Sequence, residues 1–188
     1  FTVAHIKTDS IKIPDATPEI IQFAMDFAVK YGYRFEHEAT YERMCLVNDA
    51  VYIAKYDNGE WTATGTQFQI PYVFKKLFSK EEITFDDLCV TKSVTSSLYL
   101  DMNEGLAEDE HNYRFIGKVG RFCPIKPGCG GGLLMREKDG KYYAATGTKG
   151  YRWLESEIVE SMDKMKDIDE SHFKAMADTA IDTIKKYG

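Results

Sequence analysis

The chain contains little that would support a metal ribbon or a thiol redox motif. Its four cysteines, Cys45, Cys89, Cys123 and Cys129, include no Cys-x-x-Cys pair. This spacing favours neither a zinc ribbon nor a thioredoxin-like site, and we expect free thiols. Cys123 and Cys129 flank a Pro/Gly-rich turn and can approach each other, but a reduced pair is the expected state inside a cell.

Long apolar runs and histidine clusters are also missing. No segment approaches the roughly 18 consecutive apolar residues of a membrane helix, and the first residues lack the zones of a signal peptide. We therefore expect a soluble, cytoplasmic protein with no membrane partner. The histidines share no Cys or carboxylate at ligand spacing, so the sequence predicts no zinc site and no His-based catalytic site; they are His5, His37, His111 and His172.

Positive charge is scarce, since 24 Lys and Arg stand against 30 Asp and Glu, a net charge of -6. That balance argues mildly against a nucleic-acid binder, because phosphate contacts need cations. The distribution is uneven, however. Acidic residues crowd into 101–110 and 155–170, whereas basic residues gather between 118 and 152. A local positive face on an acidic protein is therefore expected.

The N-terminal segment predicts a hairpin followed by a helix. Residues 1–6 and 11–13 have strand composition, with 7–10 as the tight connection between them. Thr17 and Pro18 supply a cap and a first-turn proline for a helix that runs to about Tyr31. Its apolar residues recur at helical spacing and predict one apolar face made of Ile20, Phe23, Ala24, Phe27 and Ala28.

The middle of the chain predicts strands and short helices. Residues 35–56 favour a strand, with a turn at 57–59 before a returning strand at 61–64. A short helix is predicted at 71–78, and Ser79 is typical of the capped start of another segment. Residues 91–100 are ambiguous between strand and helix, and 101–112 are predicted to form an exposed loop.

The last third predicts a small antiparallel meander and two closing helices. The meander consists of strands at 115–122, 133–136 and 141–145. From Gly150 the composition favours helix, with one apolar stripe headed by Trp153 and a second headed by Phe173. The first stripe comprises Trp153, Leu154, Ile158, Met162 and Met165, and the second Phe173, Met176, Ala177, Ala180, Ile181 and Ile184. The predicted fold class is therefore α+β: a β-hairpin and helix, a small antiparallel β region, and a helical C-terminal part.

The hairpin tip carries the one candidate for metal chemistry. A carboxylate held between two strands suits a divalent ion that must be placed against a phosphate, and Asp9 occupies that position. For an isolated Thr-Asp-Ser, an ordinary turn is the favoured interpretation of Asp9 and Ser10, because both residue types are common in turns.

The order of motifs resembles family B DNA polymerases, and phage members in particular. These enzymes carry Asp-Thr-Asp-Ser on such a hairpin, and residues 6–11 here are Ile-Lys-Thr-Asp-Ser-Ile. A helix follows, and then residues 35–44, Phe-Glu-His-Glu-Ala-Thr-Tyr-Glu-Arg-Met, are similar to the approach to the family's Lys-x-Tyr element. Residues 119–122 and 146–153 are similar to segments of the thumb region.

The resemblance implies a division into a palm C-terminal part, 1–66, and a thumb-like domain, 67–188. It implies part of a DNA-directed DNA polymerase, a nucleotidyltransferase of DNA replication, with Mg²⁺ or Mn²⁺ bound at Asp9 as the catalytic metal ligand. Primer–template DNA would be the partner. The residues implied in nucleic-acid contact are Lys7, Ser10, Tyr52, Lys55, Arg121, Lys149, Tyr151 and Arg152.

Two departures from the family pattern remove groups that the family uses. Lys7 replaces the first Asp, so the tip gains a point charge that suits direct contact with a phosphate. Ala50 aligns with the Lys of Lys-x-Tyr, although Tyr52 remains. Lys55 is a poor substitute, because an offset of three on a strand directs it to the opposite face from Tyr52.

Two-metal phosphoryl transfer needs a pair of converging carboxylates, and this chain offers one. In the family the other catalytic Asp lies upstream of the motif. Activity is therefore expected only with an upstream polymerase segment or a separate chain.

Residues 146–153, Thr-Gly-Thr-Lys-Gly-Tyr-Arg-Trp, combine glycines, cations and aromatics at the predicted start of a helix, which suits phosphate contact and base stacking. Tyr151 and Trp153 serve equally well as core anchors with solvated cations beside them.

Two other interpretations stay open at this point. One is a noncatalytic DNA-binding module derived from a polymerase. The other is an unrelated small α+β protein whose Thr-Asp-Ser is accidental and whose pocket takes another ligand.

Overall fold

The computed structural model describes the backbone of all 188 residues and every side chain except that of Glu108. The fold is α+β, as the sequence predicts, with antiparallel sheets and a long C-terminal helix. No helix of the described chain combines the length and apolar composition needed to cross a bilayer. The strands are β1 (His5–Lys7), β2 (Ser10–Lys12), β3 (Tyr41–Asn48), β4 (Val51–Tyr56), β5 (Trp61–Thr64), β6 (Val90–Asp101), β7 (Tyr113–Ile125), β8 (Leu133–Lys138), β9 (Lys141–Ala144) and β10 (Arg152–Glu155). The α-helices are α1 (Pro18–Lys30), α2 (Thr66–Gln69), α3 (Pro71–Phe74), α4 (Ser156–Ser161) and α5 (Ser171–Tyr187).

The hairpin and helix predicted at the N-terminus are both present. β1 pairs with β2 from His5–Lys12 to Lys7–Ser10, which leaves Thr8 and Asp9 as a two-residue turn. α1 begins after Thr17, whose hydroxyl accepts a hydrogen bond from the Ile20 amide at 3.4 Å. The connection is thus shorter than the predicted 7–10, because Lys7 and Ser10 join the ladder.

The apolar face of α1 lies largely on the surface. Phe23 is 56% exposed and Phe27 is 47% exposed, and of the residues in this helix only Ala28 is buried. The rings of Phe23, Phe27 and Tyr31 pack on one another along the helix, with centroids 6.1 and 5.1 Å apart. The periodicity therefore predicted the helix correctly, and the aromatic rings of its stripe contact one another while remaining largely exposed to solvent.

Residues 41–56 form two strands and residues 35–40 have no regular secondary structure, so the prediction of one strand over 35–56 is wrong. The Asn48 side-chain oxygen accepts a hydrogen bond from the Ala50 amide at 2.9 Å, which closes a turn between β3 and β4. Asn is suited to this role, because its side chain can replace a backbone turn contact. The second predicted turn, at 57–59, joins β4 to β5 in a sheet of order β3-β4-β5.

The predicted helix at 71–78 is present as α3 and a π-helical turn, Lys75–Ser79, but the capped start predicted at Ser79 is wrong. A 3₁₀ turn starts instead after Thr84. Asp87 accepts hydrogen bonds there from the Thr84 amide at 2.7 Å and the Lys75 amine at 2.9 Å. The reciprocal cap at Thr84 and Asp87 satisfies backbone groups at the start of this turn.

The largest sheet has the order β10-β7-β6-β8-β9. The ambiguous segment 91–100 belongs to β6, and this strand pairs with both β7 and β8. The predicted meander is therefore wrong in its connectivity, because β6 lies between β7 and β8. Long-range pairing of this kind leaves no trace in local turn signals.

The prediction of helix from Gly150 is also wrong. Residues 152–155 form β10, in which Trp153 faces Pro124 of β7 and bridges to Gly132 on the other side. The first closing helix, α4, starts at Ser156, and Met162 and Met165 of its predicted stripe are exposed. The second closing helix is confirmed as α5, with Phe173, Ala177 and Ala180 buried.

Three clusters of buried residues form the core. The first joins the β3-β4-β5 sheet to α2, α3 and α5, the second lines one face of the five-stranded sheet around Trp153, and the third lies under α4. Val90 packs against the first and second clusters, and Leu88 against the first and third. The domain division at 66/67 stays a prediction. α5, which follows that position in the sequence, packs on the β3-β4-β5 sheet, which precedes it.

Candidate functional site

The tip of the N-terminal hairpin holds three of the predicted site residues. Asp9 stands in the turn and is exposed, as is Lys7, while Ser10 is half-buried. Lys7 and Ser10 face each other across the ladder, so both project from the same face of the hairpin. A cation, a hydroxyl and a carboxylate are thereby brought together in a solvent-accessible place.

The same face of the hairpin contacts Tyr52. The Lys12 amine lies 5.2 Å from the centre of the Tyr52 ring, and the His5 and Tyr52 ring centroids are 6.4 Å apart. Alternation along the strands places His5, Lys7 and Lys12 on one side. Tyr52 of β4 is therefore the residue of the β3-β4-β5 sheet that the hairpin contacts. We call Lys7, Asp9, Ser10 and Tyr52 the hairpin group.

His5 anchors this arrangement and was not predicted. It is buried, with its Nε2 3.7 Å from an Asp49 carboxylate oxygen, too long for a hydrogen bond. Neither ring nitrogen has a hydrogen-bond partner among the described residues. Strand alternation, which places His5 and Lys7 on the same face of β1, was the sequence signal that could have identified His5. The contact with Asp49 depends on the unrecognised turn between β3 and β4.

Lys55 lies away from the hairpin group, as its offset from Tyr52 predicts. Its amine is 2.5 Å from a carboxylate oxygen of Glu42 on β3. This hydrogen bond is the main cause that lowers the pKa of Glu42. The charge of Lys55 is thus engaged within the β3-β4 pair, and Ala50, for which the resemblance predicted a departure from Lys, lies in the turn.

Asp9 belongs to no group of three or more possible metal ligands in the part of the chain that the structure describes. No three His, Cys, Asp or Glu side chains there are arranged to hold a metal ion. Two-metal chemistry needs at least two converging carboxylates, which hold the two ions about 4 Å apart. The residues of this chain alone therefore do not fit such a centre.

The predicted cations of the C-terminal half lie in the five-stranded sheet and its loops. Arg121 on β7 pairs with Asp86 at 2.6 Å, and both side chains are accessible to solvent. Arg152 on β10 donates to the Gly131 carbonyl at 2.7 Å and lies 3.1 Å from a Glu104 oxygen. Arg152 therefore fastens the glycine-rich loop, whereas the Arg121 pair is of the weak, exposed kind.

Lys149 and Tyr151 lie in the loop that leads into β10, so the helix N-terminus predicted for this segment is wrong. Lys149 is exposed. Tyr151 is half-buried, with its ring centroid 4.5 Å from that of His172. Trp153 is fully buried and its indole N–H donates to the Thr148 carbonyl at 3.3 Å, so it is a core anchor. Lys149 is thus the exposed cation of this segment.

Two groups of predicted residues result. Lys7, Asp9 and Ser10 lie at the hairpin tip, and Tyr52 contacts the same hairpin through His5 and Lys12. Arg121 and Arg152 lie in the five-stranded sheet, and Lys149 and Tyr151 lie in the loop before β10. The carboxylates that engage Arg121 and Arg152, namely Asp86 and Glu104, were not predicted, because they lie in distant loops. No protein-family model, curated protein or solved structure matches the chain.

Proposed function

We propose that this chain is the palm end and thumb of a phage-like, family B, DNA-directed DNA polymerase, and that it holds primer–template duplex through the sugar–phosphate backbone. The observation that carries the proposal is the hairpin packed on Tyr52, with Asp9 at its tip and Lys7 and Ser10 on the face that Tyr52 meets. A hydroxyl and a cation beside a duplex suit phosphate oxygens and carry no sequence information.

Asp9 would serve catalysis only in the complete polymerase. There it would supply one ligand to Mg²⁺ or Mn²⁺, and an upstream segment or a separate chain would supply the others. The isolated chain is thus an incomplete nucleotidyltransferase. As part of a replication enzyme it would act in the cytoplasm, that of the host cell if a phage encodes it.

Duplex binding tests the proposal. We expect the affinity for a labelled primer–template, measured by fluorescence anisotropy, to fall steeply as salt rises. Lys149→Ala should reduce the slope of log K against log[salt] by about one. Lys149 suits this test better than Arg152, whose removal would also loosen the loop at Gly131.

A matched control separates a specific contact from net charge. Lys76→Ala removes the same charge from an exposed position on the π-helical turn. It should leave the salt slope unchanged. Absence of duplex binding, or binding that is insensitive to salt, would contradict the proposal.

A noncatalytic DNA-binding module derived from a polymerase is the second candidate. Lys7 and Ala50, which stand where the family has Asp and Lys, together with the single tip carboxylate, favour it. Paramagnetic broadening by Mn²⁺ separates the two, measured by NMR with primer–template and the upstream segment present. A polymerase part should show broadening around Asp9 that Asp9→Asn removes, and a module should show none.

A further inference from the structure

A pair of thiols meets where the five-stranded sheet begins. The Cys89 and Cys123 sulfurs are 3.5 Å apart. Val90 pairs with Phe122 in the β6–β7 ladder, so Cys89 and Cys123 are the next two positions outward in the same register. Residues opposite each other in an antiparallel ladder have Cα atoms about 4.5–5.5 Å apart, within the range of about 4.4–6.8 Å that disulfides span.

The two thiols differ in access to solvent. Cys123 is 0% exposed and belongs to the cluster under α4, whereas Cys89 is half-buried at the end of the 3₁₀ turn. A reagent in solution therefore meets Cys89 first. Closing the pair to a bond of about 2.05 Å requires the sulfurs to approach by about 1.5 Å, the difference from 3.5 Å.

The surroundings favour Cys89 as the reactive member. The hydrogen bond with Cys123 is the main cause that lowers the pKa of Cys89, and the charge of Arg121 lowers this pKa further. Burial and the charges of Asp86 and Glu157 act in the opposite direction. The hydrogen bond with Cys89, followed by burial, raises the pKa of Cys123. A thiolate is the nucleophilic form of cysteine.

We propose that Cys89 and Cys123 form a peroxide-reactive dithiol site, in which Cys89 is the attacking thiol and Cys123 the resolving thiol. The Cys89 thiolate attacks one oxygen of hydrogen peroxide, the O–O bond breaks, and hydroxide leaves to become water, which gives a sulfenic acid. The Cys123 sulfur then attacks the Cys89 sulfur, the S–O bond breaks, and the leaving hydroxide takes the Cys123 proton. One disulfide and two waters result, with the dithiol oxidised and the peroxide reduced by two electrons.

The site is independent of the DNA-binding proposal, because it needs neither the hairpin nor Lys149. Its consequence is a covalent link between the start of β6 and the end of β7. That link lies beside Arg121, whose partner Asp86 is on the same turn as Cys89. The sequence pattern gave no sign of the pair, since 34 positions separate the two cysteines.

Peptide mapping of the native chain tests the proposal without any variant. The reduced protein is treated with hydrogen peroxide, quenched with catalase, alkylated, digested and analysed by mass spectrometry. We expect a disulfide that joins the Cys89 and Cys123 peptides, reversible by dithiothreitol, with Cys45 and Cys129 still alkylated. A disulfide to Cys129, or overoxidation of Cys89 without a disulfide, would overturn the proposal.

Variants assign the two roles. In Cys123→Ala, peroxide should leave a sulfenic acid on Cys89 that dimedone traps, whereas in Cys89→Ala, Cys123 should stay reduced. Cys45→Ala is the matched control and should form the Cys89–Cys123 disulfide as the native chain does. Oxidation of Cys123 in Cys89→Ala at the native rate would show that Cys89 is not the attacking thiol.

Discussion

His172 is a buried titratable group at the second position of α5. It is 4% exposed, and neither ring nitrogen has a hydrogen-bond partner among the described residues. Its ring lies edge-on to those of Tyr151, Trp153 and Phe173, with centroids 4.5 to 5.1 Å away. Burial, and then the charge of Lys92, lower the pKa of His172, while Asp169 opposes the shift.

This environment predicts a loss of stability in mild acid. Below the unfolded-state pKa of 6.5, His172 is protonated in the unfolded chain but stays neutral in the folded chain. The free energy of unfolding therefore decreases as the pH falls from 6.5 to the pKa of the folded state. His172→Phe should reduce that loss between about pH 7.5 and pH 5 by on the order of 1 kcal/mol. Urea unfolding at both pH values measures it.

The exposed His111 provides the control for this experiment. His111→Phe should show the same pH dependence as the native chain, because His111 lies at the surface and belongs to none of the three buried clusters. An unchanged pH dependence in His172→Phe would contradict the expectation.

At the scale of single residues, the sequence predicted the tip of the candidate site and missed its supports. Asp9 was found because a short polar segment stands between two strand-like segments. His5 and Lys12 were missed as contacts of Tyr52, since only the packing of the hairpin on β4 creates them. The Arg152 contact with Glu104 was also missed, because only the tertiary fold brings these two residues together.

Among the elements, α1 and α5 are two helices with similar apolar periodicity and different surroundings. Phe173 on α5 is 1% exposed and its ring centroid lies 5.4 Å from that of Tyr72, while Phe27 on α1 is about half exposed. Phe173→Ala should lower the free energy of unfolding by about 3–5 kcal/mol, because it opens a cavity in the first cluster.

Phe27→Ala is the matched substitution on the other helix. It should cost less than about 1 kcal/mol, because half of the ring is already in water. Urea denaturation of the two variants gives the comparison directly. Equal losses would mean that α1 is as well packed as α5, contrary to the structure.

Element types followed from local sequence where caps and periodicity decided them. Thr17 and Pro18 fixed the start of α1, and the stripe headed by Phe173 fixed α5. The strand at Arg152–Glu155 could not be predicted in this way. Its conformation is set by pairing with β7 and by the bridge from Trp153 to Gly132, both distant in sequence. Tertiary contacts thus overrode a helical composition.

At the scale of the whole molecule, the three clusters share residues. Val90 and Leu88 each contact two of the clusters, and α5 packs on the β3-β4-β5 sheet in the first cluster. The two tryptophans report on different clusters, Trp61 on the first and Trp153 on the second. We therefore expect both to lose their native environments at one urea concentration. Fluorine NMR of the chain labelled with fluorotryptophan gives a separate signal for each.

The result also tests the division at 66/67. Coincident loss of both native signals would show one cooperative unit across that position. Two separate transitions would contradict the shared-cluster expectation and would support two independently stable domains.

The packing of α5 on the β3-β4-β5 sheet has a consequence for synthesis on the ribosome. The sheet ends at Thr64, and the helix that covers it begins at Ser171, roughly 100 residues later. α2 and α3 follow the sheet directly, but at about 5–20 residues per second the part of its apolar face that α5 covers stays open for on the order of ten seconds. The β3-β4-β5 sheet thus emerges well before α5 and completes its packing only after α5 has emerged, and during that interval it is a natural client for a chaperone.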